Sequence, residues 1–215
     1  RRDAGENAAL GGQTAADLLI RSVSVGRIGR RIDGGEWAAA GEPLAGAAAA
    51  LEAGGADLVV LATNTMHRVA PRIVDALSIP FLHIVDVTAD AVRAAGLDTV
   101  GVLGTRATME GAFYADRFAD HGVETVSPEA PARETVDRVI FDELTRGEVR
   151  ETSREAYLDV IDDLVAAGAE GIVFGCTEID LLLDAEDVPV PVFDTTALHV
   201  ERALERALEC PLDVE

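Results

Sequence analysis

Two stretches of the chain follow the same pattern 113 positions apart. LEAGGADLVVLATNT, from Leu51, and LVAAGAEGIVFGCTE, from Leu164, each pass through a helix end, a glycine turn, an acidic residue, an apolar run and a small polar tip. A second pair keeps the same order. IPFLHIVDVTADAV, from Ile79, resembles VPVPVFDTTALHV, from Val188, with one residue fewer between the proline and the Asp-x-Thr-Ala. One such match arises easily by chance in α/β sequences, but two in the same order predict two halves of one architecture. Within each half, an aliphatic, β-branched run closed by polar residues reads as a buried parallel strand, and in α/β folds ligands sit at such carboxyl ends.

The rest of the chain alternates strand-like and helical patterns. Strand-like runs are Leu18 to Val25, Leu58 to Leu61, Phe81 to Val85, Thr99 to Leu103, Gly171 to Phe174 and Val190 to Phe193. Helices are predicted from Trp37 to Glu52, stopped by Gly54-Gly55, and from Ser153 to Ala167, where Leu158, Ile161, Leu164 and Val165 make an apolar stripe. Thr152 and Glu155 have the spacing of a capping box before that stripe, and Gly168 follows it. Strands separated by helices imply parallel sheets. The predicted fold is therefore α/β, with two pseudo-symmetric domains and a site in the cleft between them. The first domain is placed at 1–95, with 195–215 returning to it, and the second at 96–194. Shifting the strand at Val100 back by 113 positions lands before residue 1, so the first domain is expected to lack its matching first strand.

Charge narrows the function. Asp and Glu number 39 against 18 basic residues, all of them arginine, for a net charge of −21. That balance argues against nucleic acid and anionic membrane as partners. The acids are interspersed among periodic apolar segments, unlike those of a disordered chain, and the composition fits a folded protein from a high-salt cytoplasm, where repulsion is screened. Neither a bilayer-length apolar run nor a leader pattern is present, and a cytoplasmic location is expected. Cys176 and Cys210, the two cysteines, are too few for a disulfide framework or a zinc cage.

The repeat superimposes Thr63 on Cys176. Two reactive side chains at equivalent strand tips, facing one ligand from opposite sides, have the geometry of a two-base isomerisation. One group removes a proton from a stereocentre and the other returns one to the opposite face.

TNTMH at Thr63 to His67, GCTEI at Gly175 to Ile179, GVLGTRATM at Gly101 to Met109 and FDTTALH at Phe193 to His199 resemble the aspartate/glutamate racemase family, from about Gly11 to about Leu208. The resemblance implies a cofactor-independent amino-acid racemase, with neither pyridoxal phosphate nor metal, acting on a small amino acid such as aspartate or glutamate. It implies Cys176 as the main base, Thr63 at the opposing position, and Asn64, Thr65, Thr105 and Thr177 as substrate-binding residues. Thr63 stands where many members carry a first cysteine, as in the single-cysteine, broad-specificity branch. Two alternatives stay open: a single-cysteine decarboxylase or other isomerase on the same scaffold, and an inactive or truncated binding protein. A homodimer is also left open.

Other residues have plainer readings beside functional ones. Cys176 alone, at an apolar strand end, reads as a small buried hydrophobe, and its partner position is what raises it to a catalytic candidate. His67 reads first as a histidine satisfied by backbone. His199, beyond a helix cap at Asp194-Thr195-Thr196, lines the site or merely packs. Glu178 either tunes the thiol or binds an amide. Arg27, Arg106 and Arg146 are candidate cations for a second substrate carboxylate, Met66 and Met109 are gap fillers, and Cys210 is incidental.

Overall fold

The computed structural model describes residues 17–209. They form two compact units: a smaller one with residues up to 60, 69–82 and from 200 onward, and a larger one with 61–68 and 83–199. Residues 83–95, assigned from sequence to the first domain, fall in the larger unit of this division, and so does the tip at Thr63 to His67.

In the smaller unit, helices Val25–Asp33 and Trp37–Ala53 precede a short parallel pair, β1 (Val59–Val60) and β2 (Phe81–Leu82), paired at Val59↔Phe81 and Val60↔Leu82. The expected strand at Leu18 to Val25 is not formed. Residues 17–24 have no regular secondary structure, Val25 begins a helix, and Leu18, Leu19 and Ile20 are exposed. Strand-like composition becomes a strand only when a neighbour supplies the ladder, and among the described residues none pairs with this segment. The run at Phe81 to Val85 is also shorter than expected, since Ile84 starts a helix.

The larger unit is built on a parallel sheet of β3 (Thr99–Gly104), β4 (Glu124–Val126), β5 (Gly171–Gly175) and β6 (Val192–Asp194), in the order β4-β3-β5-β6. Alternation along the strands supplies both faces. Val100, Val102, Val173 and Phe193 pack against Ile84, Val85, Ala89 and Val92 of helix Ile84–Ala94 and against Tyr114 and Phe118 of helix Ala112–Asp120. Leu103, Ile172 and Phe174 face the helices Ala130–Asp142 and Glu151–Ala166, through residues such as Val139, Tyr157 and Ile161. Each fully buried side chain of this size contributes about 1.5–3 kcal/mol. A missing helix cap therefore matters little here. The box expected at Thr152 and Glu155 does not form: the helix begins two residues earlier, with Arg150 at its N-cap and no side-chain cap bond. The cap at Asp194 does form, its Oδ1 accepting from the backbone N–H groups of Thr196 (2.9 Å) and Ala197 (3.1 Å).

Among the described residues, no helix is long and apolar enough to cross a membrane. No group of three or more His, Cys, Asp or Glu residues there could hold a metal ion. Cys210 lies outside the described residues.

Candidate active site

The order β4-β3-β5-β6 contains a switch point. The connection from β3 leads to β4 on one side, and that from β5 leads to β6 on the other. Between such strands the connecting segments part at the carboxyl ends, where α/β folds place their ligands. The β3–β5 ladder ends in the pair Gly104↔Gly175, followed directly by Thr105 and Cys176. The approach is close. A Cβ on Gly104 would lie 2.9 Å from the Gly175 carbonyl oxygen, and one on Gly175 would lie 3.0 Å from that of Leu103. The two glycines bring the strand ends, and the residues after them, together.

Hydrogen bonds staple the Thr63 tip to this edge. Thr195 Oγ1 donates to the carbonyl of Phe174 at 2.8 Å, so it must accept the 2.9 Å bond from Asn64 Nδ2. That orients the amide, and Asn64 Oδ1 then accepts from Tyr114 Oη at 2.9 Å. Tyr114 is fully buried and burial raises its pKa, so its phenol stays a donor. Asn64 is thus held two residues upstream of Cys176 along β5, with one Nδ2 hydrogen beyond these bonds.

A cluster of three hydroxyls adjoins it. Thr65 Oγ1 lies 2.9 Å from Thr105 Oγ1 and 3.4 Å from Thr108 Oγ1, and the last two are 3.2 Å apart. Hydroxyl protons rotate freely enough to turn together toward an incoming carboxylate.

At the end of β5, Cys176 Sγ donates to Glu178 Oε2 at 3.0 Å, and Thr177 Oγ1 donates to the same oxygen at 2.6 Å. Burial, then the bond to Glu178, pushes the thiol up to about 12. The resting group is therefore a protonated thiol beside a proton acceptor, not a standing thiolate. His67 has the structural character read from sequence, with its ring bonded to the Thr63 carbonyl and the Ile84 amide.

All six residues proposed from sequence belong to the larger unit. Asn64, Thr65 and Thr105 are joined by the contacts above, and Cys176 and Thr177 meet through Glu178. The Thr63 hydroxyl is half-buried and enters no hydrogen bond among the described residues. Thr108, Tyr114 and Thr195 were not singled out as site residues. Thr108 had a signal, its one-turn spacing from Thr105; Tyr114 had none. Of the three arginines, Arg27 belongs to the smaller unit, and Arg106 and Arg146 are exposed, with Arg146 3.8 Å from Asp142.

The chain is similar along most of its length to proteins already described. A crystal structure from Yersinia pestis, described as that of a candidate Asp/Glu racemase, is 45% identical, with a TM-score of 0.90 over 96% of this chain and 90% of that one. An aspartate racemase homologue from Pyrococcus horikoshii OT3 is 29% identical, with a TM-score of 0.81 over the same shares. The broad specificity amino-acid racemase RacX of Bacillus subtilis is 28% identical over 147 residues, which span 68% of this chain and 63% of RacX. The model of the family Asp/Glu/Hydantoin racemase matches residues 7–203. By that match, the chain belongs to the Asp/Glu/hydantoin racemase family.

Proposed function

We propose that the protein is an amino-acid racemase acting on aspartate, glutamate or a related amino acid, without pyridoxal phosphate or metal. The observation that carries this reading is the Cys176–Glu178 hydrogen bond at the β3–β5 switch point. It joins a potential carbon base to an acceptor for its proton. The α-carboxylate binds at Asn64, Thr65 and Thr105, with Thr177 opposite, and its charge turns the hydroxyls of the threonine cluster toward it. Cys176 passes its proton to Glu178. The thiolate then removes the α-proton from the L substrate, and a proton returns to the other face from the Thr63 hydroxyl or a water that it holds. An ammonium group bound beside the thiol favours the charged sulfur and offsets the burial that holds it protonated. Glu178 then releases the proton it took to solvent, and Thr63 recovers its own from solvent, which returns both sides of the site to their starting state.

The test is incubation of the purified protein in deuterium oxide with pure L- or D-aspartate and glutamate and no added cofactor. Deuterium at Cα together with loss of optical purity supports the reading. Absence of both for every acidic amino acid and for neutral ones refutes it. A second reading, decarboxylation of a malonate-type acid, is favoured by the protonated thiol, since a single cysteine acid would quench a carbanion from one face. Release of carbon dioxide without α-proton exchange would select it.

A further inference from the structure

We propose that His67 is the positioning residue for Thr63: a buried imidazole in its Nδ1–H tautomer that braces the Thr63 carbonyl against the start of the helix Ile84–Ala94. The inference rests on the racemase reading above and adds to it the group that sets the weaker of the two reacting positions.

The tautomer follows from the partners. His67 Nδ1 lies 2.7 Å from the Thr63 carbonyl oxygen, which can only accept, so Nδ1 carries the hydrogen. Nε2 lies 3.2 Å from the backbone nitrogen of Ile84, which can only donate, so Nε2 carries the lone pair. One neutral tautomer satisfies both, and a second ring proton would set N–H against N–H. The ring is 2% exposed. Burial is the main cause holding its pKa well below the ordinary histidine value, with His83 next. The rings of His83 and His199 stand against it, at centroid distances of 4.4 and 6.1 Å. The charged and titratable groups facing this cluster include Asp86, in the first turn of the braced helix, and then Arg117 and His121, whose side chains hold the Asp86 carboxylate at 2.5 to 3.1 Å.

Asn64 and Thr65, the residues that follow Thr63, are tied through their side chains, whereas Thr63 itself is held through its backbone. Thr63 is outside regular structure; its N–H donates to the Leu61 carbonyl at 2.8 Å and its carbonyl takes the imidazole. The next turn closes through the His67 amide to the Asn64 carbonyl at 3.0 Å. The ring therefore reaches back across its own turn and sets the peptide that carries the Thr63 hydroxyl. A histidine that only filled space would affect both faces of the substrate alike; one that places Thr63 affects the Thr63 face.

The experiment compares wild type, His67→Asn and His67→Gln, each checked for folding by circular dichroism, by α-deuterium incorporation from pure L and pure D substrate. The asparagine amide nitrogen reaches the position of Nδ1 and keeps the Thr63 bond. The glutamine amide reaches the position of Nε2 and keeps only the Ile84 bond. In His67→Gln the ratio of D-side to L-side exchange should fall by about tenfold to a hundredfold, the scale of a small misplacement of a reacting group. His67→Asn should keep the wild-type ratio. Should the variants fail to fold, nitrogen-15 NMR of the wild-type imidazole still decides the brace: Nδ1 protonated and Nε2 bare at neutral pH is expected, and the other tautomer or an imidazolium overturns it. An unchanged ratio in His67→Gln, with exchange abolished by Cys176→Ala, overturns the brace alone. Absence of exchange in the wild type overturns the racemase reading and this inference with it.

Discussion

Cys176 and Glu178 share one hydrogen, with the sulfur as donor and the carboxylate 3.0 Å away as acceptor. The carboxylate does two opposite things to the thiol. It holds the sulfur protonated at rest, and it is the group to which the proton leaves when the sulfur acts as a base.

Glu178→Gln should therefore move two measurements in opposite directions. Burial, the larger cause, still holds the thiol up, but without the carboxylate its pKa falls below about 12, so alkylation by iodoacetamide near neutral pH should accelerate. Proton exchange at Cα should slow, by about 10²–10⁴-fold if Glu178 takes the thiol proton during turnover. Slower alkylation together with unchanged exchange would remove Glu178 from the chemistry.

The two reacting positions should be unequal. Cys176→Ala should abolish nearly all exchange, whereas Thr63→Ala should cost less if the hydroxyl only relays a proton. Thr63→Cys should raise exchange from the D substrate, because a thiol ionises far more readily than a hydroxyl and so can both give and take a proton. One equilibrium constant near unity still binds the end point, so the asymmetry is looked for in deuterium incorporation from each pure enantiomer. Undiminished exchange in Cys176→Ala would end the assignment of this thiol.

Removing the Tyr114 hydroxyl tests the amide network. Tyr114→Phe strands Asn64 Oδ1, a buried acceptor whose loss of a partner costs about 1–3 kcal/mol. The amide is then free to flip, so KM should rise more than kcat falls. Calorimetry and steady-state kinetics on one preparation separate the two effects. A change in kcat alone would argue that Tyr114 does not serve substrate binding.

Mild acid should weaken the larger unit through its buried histidines. Burial lowers His83 to about 4 and His67 well below its ordinary value. Below about pH 6.5 the unfolded chain takes up protons at these rings and the folded chain does not, so stability is present at neutral pH and is lost as pH falls from about 6.5 toward 4. Asp86 and Glu143, whose carboxyls are depressed, lose their contribution only below the ordinary carboxylate range. A melting temperature already falling between about pH 6.5 and 5, with a shallower fall in His83→Asn, is the expected outcome. No slope above pH 5 would contradict it.

Salt should stabilise the protein. At −21 with no lysine, acidic self-repulsion is unscreened in dilute buffer, and the Debye length shrinks from about 10 Å at 0.1 M to about 3 Å at 1 M salt. The melting temperature should rise with potassium chloride across that range. An unchanged or falling value would dismiss the high-salt habitat.

By itself the sequence determined what depends on near neighbours in the chain. Apolar runs closed by glycine and small polar residues marked β1, β3 and β5, the glycines after Ala53 and Ala167 marked helix ends, and the repeat put Thr63 and Cys176 at corresponding tips. Tertiary structure decided what depends on partners far along the chain. Asn64 is oriented by Tyr114, 50 positions away, and by Thr195, 131 away. Leu18 to Ser24 has strand composition but remains irregular, while Glu124–Val126, short and polar enough to escape notice, is a strand because β3 lies beside it. The thiol's protonation state belongs to the same class. Cys176 and Glu178 stand two residues apart in any conformation, but the turn that aims sulfur at carboxylate, and the burial that keeps the proton on sulfur, exist only in the folded chain. Pattern and propensity are local, whereas ladder pairing, hydrogen-bond satisfaction and desolvation are set by whatever the fold brings alongside.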